Sequence, residues 1–216
     1  MKPTVYYLYD ALCGWCYGFS PVMQQFYEQH RAEADFRVVS GGMITAERIG
    51  PIFESAPYIR TAYKDVEQAT GVQFGEPFLK GILAEGTTVM TSVPAATAMA
   101  VFQEKFPEKA VPFSADLLRM VYRDGEAPEH MSGYVERAAE YGFPRDEFRY
   151  KLNSKEYHDR AFADFDLAGQ FGVSGFPSLI VHAGTEYFLL SRGYTSFSTL
   201  ERVWNKIMAD VKGGSV

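Results

Sequence analysis

The segment Asp10-Ala11-Leu12-Cys13-Gly14-Trp15-Cys16 decides how the rest of this 216-residue chain is interpreted. It holds the only two cysteines of the sequence, and it joins an apolar stretch to a segment with helical periodicity. Two cysteines at this spacing form either a redox-active pair or half of a zinc site. The remaining candidates for zinc ligands are four histidines that lack ligand spacing: His30, His130, His158 and His182. The pattern therefore favours thiol chemistry and predicts no metal site.

Composition limits the classes of protein to which the chain can belong. Hydrophobic residues make up 47% of the sequence, which is ample for a packed core. The chain has 21 basic and 27 acidic residues and no cluster of Lys and Arg, which argues against nucleic-acid and anionic-membrane partners. No apolar run approaches the ~20 residues of a membrane span, and the sequence begins without a secretory signal. We therefore expect a cytoplasmic protein whose cysteines serve chemistry and do not form a structural disulfide.

The residues around the cysteine pair predict a strand, a helix and a second strand. Thr4–Tyr9 is β-branched and aromatic without polar alternation, as in a strand that is covered on both faces. From Gly14, apolar residues recur at three- and four-residue spacing, which predicts a helix that contains Pro21. Phe36–Ser40 reads as the second strand. A strand–helix–strand unit of this kind predicts a parallel pair.

Residues 44–172 have a different character, because helical patterns separated by Pro and Gly replace strand patterns. The predicted helical segments are 46–69, 76–85, 94–106, 114–124, 131–141, 144–152 and 155–171. Strand signals resume at Ser178–His182, and Glu186–Ser191 follows as the partner strand of a hairpin. The capping-box spacing of Ser198–Glu201 predicts the start of a last helix.

The position of each cysteine predicts its part in disulfide exchange. Cys13 lies just outside the predicted helix start, where unpaired backbone N–H groups and the helix dipole favour a negatively charged sulfur. Cys16 lies one turn into the helix and points back towards Cys13. We predict that Cys13 is the nucleophile and that Cys16 resolves the mixed disulfide. Trp15 brings no positive charge, so the pair is predicted to be less strongly oxidising than one with His at that position.

The run Asp10-x-x-Cys13-x-Trp15-Cys16-Tyr17, with a later proline, resembles the cytoplasmic DsbA-like branch of the thioredoxin superfamily, known as FrnE-like or predicted protein-disulfide isomerases. The order β-α-β, helical block, β-β-α resembles the DsbA arrangement over essentially the whole chain. The resemblance implies an α/β thioredoxin fold interrupted by a long all-helical insertion. The thioredoxin-like domain would comprise residues 1–43 and 173–212, and the insertion residues 44–172.

The resemblance gives a meaning to Val173-Ser174-Gly175-Phe176-Pro177, which lies just before the third strand. In thioredoxin-like proteins a proline at this place is cis and faces the cysteine pair. Pro177 is therefore expected to be cis, and the backbone of Phe176 is expected to pair with an extended substrate peptide. Trp15 is either a further contact surface for the substrate or a half-exposed cover over the two sulfurs.

Asp10 is a candidate for a proton relay. Thioredoxin and DsbA carry a buried acid six residues before the first cysteine, and here that position is Tyr7. Asp10 either substitutes for the missing acid or caps the helix and shapes the turn. In glutathione-using relatives a segment comparable to 90–94 lies near the substrate, so Thr91 and Ser92 either contact a substrate or cap the helix that follows.

The resemblance implies a thiol–disulfide oxidoreductase that acts on protein or peptide disulfides and is recycled by a thiol system, with no bound cofactor. Two alternatives remain open. The branch is akin to 2-hydroxychromene-2-carboxylate isomerase and kappa-class glutathione transferase, which usually lack the Cys pair, so a glutathione-dependent transferase or isomerase is one alternative, with glutathione as co-substrate. A non-enzymatic redox-sensing adaptor is the other. Because Trp15 replaces His and Tyr7 replaces the acid, the redox direction does not follow from the resemblance.

Overall fold

The first strand, helix and second strand form as predicted in the computed structural model, which describes residues 2–173 and 175–213 without the side chain of Lys212. Strand β1 is Thr4–Tyr9, helix α1 is Gly14–His30 and strand β2 is Asp35–Ser40. β1 and β2 are parallel, from Thr4 opposite Asp35 to Tyr9 opposite Ser40. The apolar face predicted for α1 is buried along its whole length: Cys16, Phe19, Met23, Phe26, Tyr27 and His30.

The main sheet has four strands in the order β2-β1-β5-β6. β5 is Ser178–Ala183 and β6 is Glu186–Arg192, each one residue longer than predicted. β5 is antiparallel to both of its neighbours. Because β5 runs against β1, its first residue, Ser178, lies opposite Leu8 near the end of β1. This pairing brings the loop before β5 next to the turn that leads into α1.

The region between β2 and β5 is mainly helical, as predicted. Its helices are α2 Ala56–Thr70, a π-helical segment Pro77–Ile82 that continues into α3 Leu83–Glu85, α4 Val93–Lys105, α5 Ala110–Tyr122, α6 Met131–Glu140, α7 Arg145–Leu152 and α8 Lys155–Gln170. α5 begins four residues before its predicted start and includes Pro112 in its first turn. Proline is tolerated there, because the backbone N–H groups of the first turn make no hydrogen bonds within the helix.

Residues 46–55 do not form the continuous helix that was predicted. Single 3-10 turns occupy Ala46–Arg48 and Ile52–Glu54, and α2 begins only at Ala56. Between the turns, β3 (Gly50–Pro51) pairs antiparallel with β4 (Val89–Met90). The prediction that this region contains no strand is therefore wrong, since two-residue strands are too short to leave a period-2 pattern.

The last helix, α9, is Phe197–Gly213, and its cap differs from the predicted one. The Oγ of Ser196 accepts a hydrogen bond from the backbone N–H of Thr199 at 3.3 Å. Ser196 therefore takes the capping position that was predicted for Ser198. Ser196 and Ser198 both lie near the helix start, and Phe197 between them is the first residue of α9 and packs against the hydrophobic core.

One face of the sheet packs on α1 and the other on α8. Tyr7, Tyr9 and Leu179 belong to the large core that includes α1, whereas Leu8 and Ile180 belong to a smaller cluster with Ala168 of α8. The large core continues into the helical region without a break. Gly18 allows α2 to approach α1 closely, because a Cβ at this position would lie 2.6 Å from Cγ1 of Val66. One wall of the cysteine site is therefore supplied by the helical region.

Candidate active site

Cys13 is the N-cap residue of α1. Its backbone is extended, with φ of −97° and ψ of 110°, and its Sγ accepts a hydrogen bond from the N–H of Cys16 at 3.3 Å. The first turn of the helix carries no acidic residue. The free N–H groups and the positive end of the helix dipole are thus directed at the sulfur, which favours a thiolate. The alternative in which Asp10 caps the helix is wrong, because Cys13 itself takes that place.

The two cysteines differ in exposure, and both are free thiols. Cys13 is 7% exposed and Cys16 is fully buried. Burial raises the pKa of the Cys16 thiol well above 9, and its hydrogen bond with Cys13 raises that pKa further. Cys16 therefore holds its proton near neutral pH, while Cys13 presents the only sulfur of the pair that solvent can reach.

The loop before β5 approaches Cys13 as predicted. The Phe176–Pro177 peptide bond is cis, and the carbonyl oxygen of Phe176 accepts a hydrogen bond from the Cys13 Sγ at 3.3 Å. Pro177 is buried and Phe176 half-buried. The ring of Phe176 lies over Gly41, where a Cβ would come within 2.1 Å of Cζ. The glycine at the end of β2 thus makes room for the loop. Of the motif 173–177, Ser174 lies outside the described residues.

Trp15 is half-buried beside the pair. Its ring is tilted by 35° against that of Tyr194, with the centroids 6.3 Å apart. Trp15 also lines the cleft that contains Cys13. The position suits both a cover over the sulfurs and a contact for a substrate, so the binding role stays a prediction.

A narrow apolar cleft of about 150 Å³ opens beside Cys13, between the active-site turn and α2. None of the residues that line it is charged: Leu12, Cys13, Gly14, Trp15, Met43, Tyr58, Ile59, Ala62, Tyr63, Val66, Phe74 and Tyr122. A larger groove of about 560 Å³ lies over the α8 face of the sheet and touches neither cysteine. The cleft is therefore the cavity that matters for thiol chemistry.

Asp10 shapes the turn that presents Cys13. Its buried carboxylate accepts hydrogen bonds from the N–H of Leu12 at 2.9 Å, the N–H of Met43 at 2.7 Å and the Oγ of Ser92 at 2.9 Å. Burial raises the pKa of Asp10, and these three donors oppose the shift. Its backbone carbonyl also accepts from the N–H of Cys13 at 3.1 Å. The turn-shaping alternative is confirmed, and the proton relay stays a prediction.

Ser92 connects the helical region to this turn. In addition to its bond to Asp10, its Oγ accepts from the N–H of Ile44 at 3.0 Å. Ser92 is the N-cap residue of α4, as predicted, but its side chain makes no capping hydrogen bond to that helix. Thr91 makes only a 3.4 Å contact from its Oγ1 to the N–H of Val93. The hydrogen bond between Ser92 and Asp10 joins residues 82 positions apart in the sequence. No local sequence pattern predicts it.

Eight of the residues that line the cleft were missed by sequence reasoning: Met43, Tyr58, Ile59, Ala62, Tyr63, Val66, Phe74 and Tyr122. Among them, Phe74 and Tyr122 pack on each other. Both are buried aromatics, and their rings pack edge-on with centroids 5.2 Å apart. Burial raises the pKa of Tyr122, and the nearby charge of Cys13 is the next largest cause. In the sequence both look like ordinary core positions, and only the folded structure, in which Tyr122 ends α5 and Phe74 lies in the connection after α2, places them in the walls of the site.

Residues 2–173 and 175–213 contain no group of three or more His, Cys, Asp or Glu side chains arranged to hold a metal ion. Over the same ranges, none of the helices combines the length and apolar character that a bilayer crossing requires.

The family model of the DSBA-like thioredoxin domain matches residues 4–203. The chain therefore belongs to the DSBA-like thioredoxin domain family, and its fold is the DsbA-like thioredoxin fold. A search of curated protein sequences gives no match.

Solved structures with this architecture include several relatives. A candidate protein disulfide isomerase from Nitrosomonas europaea is 27% identical, with a TM-score of 0.87 over 97% of this chain and 99% of the other. The cytosolic disulfide reductase DsbM from Pseudomonas aeruginosa is 24% identical, with a TM-score of 0.78 over 95% and 99%; it has also been solved with glutathione. A 2-hydroxychromene-2-carboxylate isomerase is 17% identical, with a TM-score of 0.64 over 99% and 100%. DsbM and the 2-hydroxychromene-2-carboxylate isomerase show only that their folds are similar to the fold of this chain.

Proposed function

We propose that the chain is a thiol–disulfide oxidoreductase that acts on disulfides of proteins or peptides. The observation that carries the proposal is the environment of the Cys13 sulfur. The Cys13 sulfur caps α1 and accepts a hydrogen bond from the N–H of Cys16 at 3.3 Å. It also lies 3.3 Å from the carbonyl oxygen of Phe176. A helix N-terminus that favours the thiolate, beside a second thiol one turn away, is the arrangement that disulfide exchange requires.

The proposed reaction has two steps, written here in the reducing direction. The Cys13 thiolate attacks one sulfur of the substrate disulfide, so that a Cys13–substrate disulfide forms and the other substrate sulfur leaves as a thiolate and takes up a proton. Cys16 then loses its proton and attacks the Cys13 sulfur. The Cys13–Cys16 disulfide forms, and the substrate leaves as a dithiol that carries two electrons from the protein. The opposite direction reverses these steps.

The cleft supports a substrate with an apolar side chain next to its cysteine. Its lining has no charged group, and Tyr58 at its rim is 68% exposed. An apolar wall matches the flanks of a disulfide in an unfolded or extended peptide. The carbonyl of Phe176, directed at the Cys13 sulfur, is available to align such a peptide once Cys13 has entered a mixed disulfide.

The recycling partner in this proposal is a cellular thiol system, with glutathione as the small-thiol candidate. The relative DsbM has been solved with glutathione and is described as a cytosolic disulfide reductase. These properties belong to that protein, and they support our proposal of a cytoplasmic thiol partner for this one. Substrate proteins, in this proposal, are those whose disulfides form in a reducing compartment.

Reduction of insulin by a thiol reductant tests the activity. The wild-type protein should accelerate the appearance of insulin turbidity, and Cys13→Ser should fall to the uncatalysed rate. In the absence of the reductant, Cys16→Ser should react once and remain as a mixed disulfide, since no second thiol is present to attack it. Equal activity of wild type and Cys13→Ser would refute the proposal. Glutathione conjugation or isomerisation that survives loss of both cysteines would replace it with a glutathione-dependent transferase or isomerase.

A further inference from the structure

Strand β6 lies at the edge of the main sheet. Within residues 2–173 and 175–213, no strand pairs with its outer side. Two large apolar side chains in the middle of the strand, Tyr187 and Leu189, are 56% and 52% exposed. Proteins commonly protect an edge strand with Lys or Pro, and residues 186–189 include neither. An edge of this kind offers its free backbone groups to a further strand.

The turn before β6 determines which of its backbone groups point outward. β5 and β6 are joined by the two-residue turn at 184–185, and the pair that closes such a hairpin, here with Glu186, is hydrogen-bonded. Bonded and non-bonded pairs alternate along antiparallel strands, so Phe188 also bonds to β5. The N–H and C=O groups of Tyr187 and Leu189 therefore point away from the sheet. Across the described residues, neither makes a backbone hydrogen bond outside the strand ladder.

The outward edge of β6 is complementary to itself when two copies run antiparallel. A two-fold axis at Phe188 places Tyr187 opposite Leu189 of the second copy, and Leu189 opposite Tyr187. The outward N–H and C=O groups of these residues then form hydrogen-bonded pairs. Phe188 faces its own copy as a non-bonded pair, in agreement with the alternation along the hairpin. A shift of one residue would set outward groups against inward ones and lose these bonds.

The side chains agree with the same register. Tyr187 and Leu189 lie opposite His182 and Ile180 of β5, and both line the groove over the α8 face of the sheet. Residues directly opposite each other in an antiparallel pair share a face. The exposed Tyr187 and Leu189 of one copy therefore pack on Leu189 and Tyr187 of the other. Each contact removes from water apolar surface that the single chain exposes.

The charges at the two ends of β6 favour the antiparallel direction. The strand begins with Glu186 and ends with Arg192, and both are exposed. Antiparallel pairing sets the acidic end of each strand towards the basic end of the other, whereas parallel pairing would set like charges side by side. The β-bulge that follows Leu189 ends the regular segment, so the pairing is confined to the first part of the strand.

We propose that two copies of this chain associate through antiparallel pairing of their β6 edges about Phe188, so that two four-stranded sheets become one continuous sheet. The occupant of this edge is thus a second copy of the chain and not a substrate. Among the described residues, the lining of the cysteine cleft includes none from β6. The inference is therefore independent of the proposed function.

Sedimentation equilibrium of the full-length protein tests the association. The wild type should be a dimer that dissociates on dilution. Leu189→Lys puts a charge opposite Tyr187 at both symmetric positions, so it should raise the dissociation constant roughly tenfold to a hundredfold. Tyr150→Lys is the matched control, because Tyr150 is 78% exposed on α7, outside the sheet, and it should leave the constant unchanged. Thermal unfolding checks that both variants keep the fold. A wild type that stays monomeric, or a dimer equally strong in Leu189→Lys, would overturn the inference.

Disulfide cross-linking tests the register. Because Cys13 and Cys16 are the only cysteines, their replacement by serine gives a background in which a single new cysteine reports the distance to its own copy. In the proposed register the two copies of residue 188 form a non-bonded pair with Cα atoms about 4.5 Å apart, within reach of a disulfide. The two copies of residue 187 lie roughly 8 Å apart, beyond that reach. Mild oxidation should therefore convert Phe188→Cys, and not Tyr187→Cys, to a covalent dimer on a non-reducing gel. The absence of a covalent dimer from Phe188→Cys, or an equal yield from both variants, would overturn the proposed pairing.

Discussion

At the scale of single residues, the difference between the two cysteines arises from one helical turn. Cys13 stands at the N-cap with a small exposed area, and Cys16 faces the sheet and is fully buried. The same helix start thus favours charge on one sulfur and suppresses it on the other. This asymmetry in position follows from spacing alone, which is why the sequence could predict it; the roles of the two residues stay a prediction.

Alkylation by iodoacetamide should reveal the asymmetry. At pH 7 we expect a single modification at Cys13, because solvent reaches its sulfur. Burial raises the pKa of Cys16 well above 9, so its thiolate and its reactivity should appear only as the pH rises beyond that value. Peptide mapping by mass spectrometry measures both rates. Cys16→Ser should leave the Cys13 rate unchanged, and equal modification of both cysteines at pH 7 in the folded wild type would contradict the assignment.

Other residues of the site lay beyond sequence reasoning. The bonds from Ser92 and Met43 to Asp10 join residues that are far apart in the chain. Their existence depends on how the helical region docks on the turn, and single-sequence patterns carry no such information. The cis Pro177 was predictable because its place in the topology, once the fold was inferred, set it beside the cysteine pair.

At the scale of elements, the pattern of apolar residues predicted the strands of the main sheet and the long helices. It did not predict the single 3-10 turns or the two-residue strands. β1 has the predicted bounds, Thr4–Tyr9, because it consists of β-branched, aromatic and aliphatic residues and is followed by a buried acid, Asp10. The region 46–55 was mistaken for helix, since Pro51 divides it into single turns and a two-residue strand. A repeating pattern of apolar residues can be recognised only over several residues, and these segments of two or three residues are too short to show one.

The connection from α2 to the next helical segment positions a wall of the cleft, and Gly75 is its critical residue. Its N–H donates to the carbonyl of Tyr122 at 2.8 Å, and a Cβ at this position would lie 1.8 Å from the carbonyl oxygen of Arg123. Because that neighbour is backbone, Gly75→Ala should lower the free energy of unfolding by about 2 kcal/mol or more. The substitution should also displace Phe74 from the cleft.

Urea denaturation measures the effect, with Gly81→Ala as the matched control. A Cβ at Gly81 meets nothing within 4 Å, so that variant should be neutral or more stable by roughly 0.5 kcal/mol. If Gly75→Ala were as stable as Gly81→Ala, the close approach between this connection and α5 would be wrong.

At the scale of the whole molecule, a charge cluster ties three helices of the helical region together. The carboxylate of Glu104 on α4 accepts a hydrogen bond from Lys151 on α7 at 2.6 Å. It also accepts hydrogen bonds from two residues of α8, the hydroxyl of Tyr157 at 2.6 Å and the guanidinium of Arg160 at 2.8 Å. These contacts, that of Lys151 foremost, lower the pKa of Glu104 to about 2. The ionised carboxylate is therefore the form that stabilises the folded protein.

Acid should remove this contribution. Because the folded pKa lies below the ordinary 4.5, the stabilisation is full above about pH 4.5 and is lost as the pH falls towards 2. Glu104 is about one-third exposed, so solvent screening limits its worth to about 1 kcal/mol. Glu104→Gln should be less stable than wild type by that amount at pH 7, and the difference should vanish near pH 2 in urea titrations. Glu156→Gln, which breaks only a surface pair with Arg160, is the control. A pH-independent difference would contradict the ionic origin.

The sheet, α1 and the helical region form one continuous core, and the candidate site lies where they meet. The central claim is that Cys13 attacks substrate disulfides and Cys16 resolves them. Intact-mass analysis and peptide mapping of Cys16→Ser and Cys13→Ser, each incubated with a disulfide-bonded peptide, test it most directly. We predict one peptide adduct on Cys13 in Cys16→Ser and none on the buried Cys16 in Cys13→Ser. Absence of the Cys13 adduct, or an adduct on Cys16 in equal yield, would contradict the account.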